Sequence, residues 1–307
     1  MKSGYIEQRL KFLHNDSYLQ KRDSLLMALH STLHILITWG FIFLILYINN
    51  TFINIYLNLF SIFIIGAVQH RFFTIYHEAF HYNLFRNKRL NDNIAMFFAS
   101  FPSFSTYKNA KLRHLNHHFK TATKEDPERV SHISRINDFL SIIFPHFQTL
   151  KKILVNFGFR LNIKVIEGRK EGNLHQNNLR IEIFLFIFFN IFFLIFLISI
   201  FRNSFYIYYA GIFFTMPIYS SIRSWVEHYN SDQDVLPAHR VIIYCNLIER
   251  FFFAPMSFNF HLIHHANMNI PHYKLKYASI QYKDLLENIE IRRTSYMKTF
   301  IKHFILK

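Results

Sequence analysis

Apolar residues along this chain gather into four runs separated by polar and basic stretches. Residues 25–48 are apolar over a length sufficient to cross a bilayer, and residues 183–201 are almost uninterrupted. Two weaker runs, 52–73 and 205–222, carry Asn54, Asn58, Gln69 and Pro217. Each weak run follows a strong one after a short break, around 49–51 and 202–204. The pattern predicts an all-α integral membrane protein, a single domain over 1–307, with four transmembrane helices in two hairpins. Residues 76–180 and 223–307 are then a helical cap, with 76–85 continuing the second helix beyond the membrane. Residues 94–104 are too short to span and read as an interfacial or re-entrant helix, and 139–147 as a piece lying on the membrane surface. Residues 164–178, charged and glycine-containing, read as a loop. The run 241–258 is long enough to cross, but Asn246, Glu249, Arg250 and Pro255 interrupt it. A charged pair near the bilayer centre is costly, so an interfacial helix is expected there.

Charge sets the orientation. The chain of 307 residues has a formal net charge of +16. Five Lys and Arg precede residue 25, 17 lie between 86 and 180, and 11 follow from 223, whereas the two hairpin turns hold only Arg202. The positive-inside rule places both termini and the cap in the cytoplasm. That distribution suits anionic headgroups or an acidic soluble partner better than nucleic acid. A stretch of about two dozen residues rich in polar and charged side chains precedes the first apolar run, which is therefore expected to be its own anchor and not a cleavable signal. Cys245 is the one cysteine, which excludes an intramolecular disulfide and a thiolate zinc site.

Histidine supplies the candidate chemistry. His77 and His81 are four apart, His114, His117 and His118 form an HxxHH cluster, and His261, His264 and His265 form another. Nineteen histidines in this length would give roughly 0.1 HxxHH by chance, so two mark design rather than abundance. Positions i, i+3 and i+4 share a helical face, so each cluster aims its imidazoles one way. His228 follows Glu227 directly after the fourth run. All nine fall just beyond apolar runs and on one side of the predicted membrane. Nine imidazoles exceed the needs of one tetrahedral zinc and suit two metal ions with four or five nitrogen ligands each. Ligand type alone leaves iron, copper and zinc open. A metal transporter or metal-binding membrane protein is the non-enzyme alternative, with His30, His34 and His70 the nearest approach to an intramembrane pattern.

Three stretches carry a resemblance. His77-Glu78-Ala79-Phe80-His81, Arg113-His114-Leu115-Asn116-His117-His118 with Glu125-Asp126-Pro127-Glu128, and Asn259-Phe260-His261-Leu262-Ile263-His264-His265 with Ile270-Pro271-His272-Tyr273 resemble the histidine boxes of the membrane fatty acid desaturase superfamily, which includes carotenoid hydroxylases and ketolases. The resemblance spans residues 77–275 in spacing and helix order. Ala266-Asn267-Met268-Asn269 departs from the apolar-then-proline run usual after the third box.

The resemblance implies a non-haem di-iron oxidoreductase that uses O2 and two external electrons. The expected reaction is desaturation of a fatty acyl chain; hydroxylation of a carotenoid, alkyl or other lipid substrate is the alternative. It implies His77, His81, His114, His117, His118, His261, His264 and His265 as iron ligands, with His228 a ninth. Asp126, Glu227 and Asn259 are the candidates for supporting them, since a ligating imidazole needs an acceptor on its other nitrogen. The sequence holds no cytochrome b5-like signature, no Cys-rich ferredoxin segment and no flavin fingerprint, so a separate ferredoxin or cytochrome is expected as electron donor, docking on the basic face.

Overall fold

The computed structural model describes residues 12–20, 23–121, 125–128, 130–131, 139–140, 142–143, 174–230, 241–283 and 292–306. Helix α1 (Ser24–Thr51) starts at Asp23, whose carboxylate accepts from the Leu25 and Leu26 N–H groups. Helix α2 (Ile55–Phe80) starts at Asn54, whose side chain accepts from Tyr56 and Leu57. Both caps satisfy donors that a helix N-terminus leaves unpaired. Helix α3 (Lys88–Ala95) runs into a π-helical turn (Met96–Ser100), and α4 (Tyr107–Lys120) follows. Helix α5 (Leu174–Ile200) leaves Phe184, Phe188 and Phe192 exposed. Among the described residues three helices, Ser24–Thr51, Ile55–Phe80 and Leu179–Ile200, are long and apolar enough to cross a membrane.

That is one fewer than the four expected. Residues 205–222 are helical, but as α6 (Phe205–Ala210), a π-helical turn (Gly211–Thr215) and the first part of α7 (Met216–His228). The turn sits where α2 and this segment approach closely at Gly66 and Gly211. Thr215 Oγ1 donates to the Ile62 carbonyl of α2 at 2.8 Å and also reaches the Gly211 carbonyl at 3.3 Å. Gln69 Nε2 donates to the Tyr208 carbonyl at 2.9 Å. Of the polar residues that weaken these runs, Gln69 and Asn58, whose Nδ2 donates to the Tyr206 hydroxyl at 2.5 Å, tie α2 to the 205–228 segment, where apolar contact alone gives little preference. At the far end the hairpin turns meet: Asn203 N–H donates to Asn50 Oδ1 (2.9 Å) and Ser204 Oγ to the Leu46 carbonyl (2.7 Å).

The cap is completed by α8 (Leu247–Phe252), a 3₁₀ stretch (Pro255–Phe260), α9 (His261–Ala266), α10 (His272–Gln281) and α11 (Tyr296–Phe304). Residues 241–258 are thus not one interfacial helix. Asn246 and Glu249 form a capping box that starts α8 afresh, and Met256 and Ser257 adopt φ of 56° and 60°, which no helix continues through. The second helix likewise stops at Phe80 rather than running to 85, because Tyr82 turns to φ 57°. Helix α5 begins at Leu174, inside the stretch expected to be a loop; residues 164–173 and most of 139–147 lie outside the described residues.

Among the described residues two short parallel pairs add to the mostly helical fold. Strand β1 (Val130–Ser131) pairs with β2 (Tyr229–Asn230), and β3 (Val241–Ile243) with β4 (Arg292–Thr294). The first joins the segment after the second histidine cluster to the residues directly after His228. Two helical turns near the N-terminus, Phe12–Asn15 and Ser17–Gln20, bury Leu13 and Leu19 against Leu262, Ile263 and Leu275. Asn267 Nδ2 donates to the Leu13 carbonyl (3.2 Å), and Lys274 Nζ to that of Tyr18. The turn after the third cluster is held by this strap.

Candidate metal centre

Local devices position several of the elements that carry the imidazoles. Behind His81, the Asn91 side chain accepts from the Leu84 and Phe85 N–H groups and donates to the Ala79 carbonyl, which fixes the reversal out of α2. Helix α4, carrying His114, His117 and His118, has its N-terminus held by buried Glu182 of α5, which accepts from Lys108 N–H at 3.0 Å. A carboxylate there answers both the unpaired donors and the positive end of the helix dipole. Glu78 crosses to α10, accepting from His272 N–H at 2.9 Å.

The nine histidines converge into two groups. His77, His81, His114, His118 and His264 form one; His117, His228, His261 and His265 form the other; within each, the possible ligand atoms lie within 4.8 Å of one another. Helical spacing explains the division. In each HxxHH cluster the first and last residues, one turn apart, enter the same group, and the middle one faces the other. Helix α4 gives two imidazoles to the first group and one to the second; α9 does the reverse.

The contacts within each group exceed what imidazoles can satisfy alone. In the first, Nε2 atoms meet at 3.0 Å (His81–His114), 2.9 Å (His114–His118) and 3.2 Å (His118–His264). In the second they meet at 3.2 Å (His117–His265), 2.9 Å (His265–His261) and 3.1 Å (His261–His228). A neutral imidazole nitrogen has either one proton or one lone pair, so it makes one hydrogen bond. His114, His118, His261 and His265 each enter two contacts. Buried His77 has no hydrogen-bond partner at either ring nitrogen. A shared cation accepting every lone pair resolves both conflicts, and a metal fits this donor set.

Protonation favours the same outcome. Burial, and then the neighbouring imidazoles, hold His81, His118, His261, His264 and His265 below the ordinary imidazole range, which keeps them in the neutral, ligating form. For His114 burial acts in the same sense, with Glu128 opposing it.

Of the supporting candidates, Asp126 accepts from His117 Nδ1–H at 2.7 Å, which leaves Nε2 bare toward the second group. Buried Glu227 accepts from the Tyr296 hydroxyl at Oε1 (2.6 Å), while Oε2 lies 3.8 Å from His261 Nε2 and 3.7 Å from Arg223. Burial pushes its pKa up to about 7 against the pull of Arg223. Asn259 sits directly before α9, its Nδ2 donating to the Ile243 carbonyl at 3.2 Å, so its recorded bond supports the strand rather than an imidazole. Sequence reasoning passed over Glu128, which lies 3.9 Å from His114 Nδ1 and 4.0 Å from His117 Nε2. Its place in the Glu-Asp-Pro-Glu stretch was the available signal. It also passed over Arg223, buried between the Phe73 and Phe258 rings at 4.2 and 4.6 Å.

With this geometry established, comparison with known families is decisive. The profile of the family described as Fatty acid desaturase matches residues 53–296. The chain belongs to the fatty acid desaturase family. No curated protein matches it. For a fatty acid desaturase family member, the apolar helices fit a membrane protein acting on lipid, the family suggests an oxidoreductase, and the buried histidine groups could hold a metal. The matched span takes in α2 and all nine histidines.

Proposed function

We propose that the chain is a membrane-bound, O2-dependent oxidoreductase that desaturates a fatty acyl chain at a pair of iron ions. The observation that carries this reading is the division of nine imidazoles into two groups whose Nε2 contacts outnumber the hydrogen bonds available to them. His77, His81, His114, His118 and His264 would hold one ion, and His117, His228, His261 and His265 the other.

Bound there, iron supplies the redox chemistry: two hydrogens leave adjacent methylenes as a double bond forms, and O2 takes up those hydrogens, two external electrons and two protons to leave as two waters. The protein's own residues prepare that reaction. Asp126 holds His117 in one tautomer, and Glu182 and Asn91 fix the helix and turn that present the clusters. A cavity of about 560 Å³, lined by Phe73, Tyr76 and Phe80 of α2 and by Glu128 and Arg223, reaches His114. Ser105, Thr106, Asn109, Arg113, Ser220 and Ser224 make much of the remaining lining polar, so an acyl chain would lie along the aromatic side beside His114, and its position there would decide which methylenes react.

The membrane arrangement belongs to the same proposal: four crossings in two hairpins, with termini and centre on the cytoplasmic side. Residues 205–228 rise roughly 36 Å as a helix, enough for a hydrocarbon core of about 30 Å. The C-terminal ends of α2 and α7 both deliver histidines to one centre, while the two hairpin turns meet at the opposite end. The basic cap would receive a separate ferredoxin or cytochrome by charge complementarity. The test is mass spectrometry of lipids from cells expressing the chain with a ferredoxin system. A loss of two hydrogens, abolished by His118→Ala or His265→Ala with membrane insertion intact, is expected. A gain of one oxygen would replace desaturation by hydroxylation, and an unchanged lipid profile with iron bound would sink both.

A further inference from the structure

A second cavity, of about 450 Å³, opens between α1, α2, α8 and the start of α10; His34, Arg71, Arg250, Phe251, Met256 and His272 are among its walls. It shares no lining residue with the cavity that reaches His114. Arg71 lies in α2, where a charge is costly unless answered. Its partners are neutral: Nε donates to Thr38 Oγ1 at 3.3 Å and Nη2 to His34 Nδ1 at 2.7 Å. A guanidinium has no lone pair, so His34 must accept at Nδ1 and carry its proton at Nε2. Arg250 Nε is buried without a hydrogen-bond partner. The neighbouring carboxylate, Glu249, is engaged with the Asn246 and Met297 N–H groups. Among the described residues no carboxylate pairs with either arginine. Two permanent positive charges thus border one cavity; Glu78, 3.5 Å from the wall residue His272, pairs with neither, and an anion in the cavity would answer both.

We infer that this cavity binds the phosphodiester of a membrane phospholipid. Two guanidiniums suit the paired non-bridging oxygens of a phosphate, and His34 adds a neutral donor to the same wall. The surroundings identify the source of that phosphate. Leu247 and Phe251 of α8, which line the cavity, are 82% and 40% exposed, so its mouth has an apolar side. A ligand with an anionic head and hydrocarbon chains meets both conditions, whereas free phosphate meets only the first. The inference rests on the membrane setting and not on iron or desaturation, so the two readings fail separately.

The test uses the full-length, metal-loaded protein in uncharged detergent, with bound lipid counted by native mass spectrometry during titration with phosphatidylglycerol. Dioleoylglycerol, which has the chains without the phosphate, should bind about tenfold more weakly or less. Arg71→Gln with Arg250→Gln should lower phospholipid affinity by about tenfold while metal content stays unchanged. Arg250→Gln alone, a change outside the spanning helices, should give part of the loss and guards against misfolding of the double variant. Equal binding of diacylglycerol, or an unaltered affinity in a double variant that retains its metal, overturns the proposal. Displacement of the lipid by micromolar inorganic phosphate overturns the lipid source.

Discussion

His117 and Asp126 face each other at 2.7 Å, Nδ1–H to Oδ1, and the same carboxylate oxygen accepts from the Glu128 N–H at 2.8 Å. One acidic side chain therefore fixes the tautomer of an imidazole and the path of the loop that brings Glu128 beside His114. Asp126→Ala removes both, and metal affinity at the second histidine group should fall about 10–100-fold. Asp126→Asn keeps an acceptor without the charge and should fall between. Competition with a chromophoric chelator measures both variants; wild-type retention in the alanine variant would show that His117 needs no such anchor.

The two groups predict separable losses. His118→Ala strips the first group, and His265→Ala the second. Each should reduce iron from about two per chain toward one, and Mössbauer or magnetic measurements on the remaining ion should show an uncoupled centre. Both variants still carrying a coupled pair would mean that the partition is wrong.

How much of this could be read beforehand follows from the range of each signal. Helical spacing encodes which imidazoles share a face, so the clusters were legible, and the structure gathers them into groups of five and four. The partner of His117 was legible too, because Asp126 lies nine residues away in a recognisable stretch. Contacts made across the fold were not. Glu78 capping α10 at His272, Tyr296 bonding Glu227 and the pairing of β1 with β2 join segments whose separation no local pattern reports. The run 241–258 misled for a related reason: its hydropathy suits a helix, while the capping box at Asn246 and the left-handed residues Met256 and Ser257 divide it.

Glu182 links a membrane helix to the cluster on α4. Its side chain is buried and accepts from Lys108 N–H, so Glu182→Ala leaves that donor unanswered. A loss of about 1 kcal/mol is expected, visible as a lower thermal midpoint in detergent, with the ligand set intact and metal bound at saturating iron. An unchanged midpoint would show that water or another group replaces the cap.

Gly66 tests whether close helix packing governs the centre from a distance. A Cβ built there would lie 1.9 Å from Thr215 Oγ1, 2.7 Å from Thr215 Cβ and 2.8 Å from the Met216 backbone nitrogen. Rotating the threonine relieves the first contact, but the last involves backbone, so even Gly66→Ala must push α7 away from α2. Overpacking of this kind costs about 1–3 kcal/mol. The displacement has a direction, since His228 ends α7 and belongs only to the second histidine group. Gly66→Ala should therefore weaken metal binding by the group containing His228 while sparing the group built from α2, α4 and α9. Adding Thr215→Gly should restore part of the stability and part of the metal, because two of the three close contacts vanish. Thermal unfolding together with iron content of the single and double variants decides the matter. Full stability in Gly66→Ala, or equal metal loss from both groups, would break the link between this helix contact and His228.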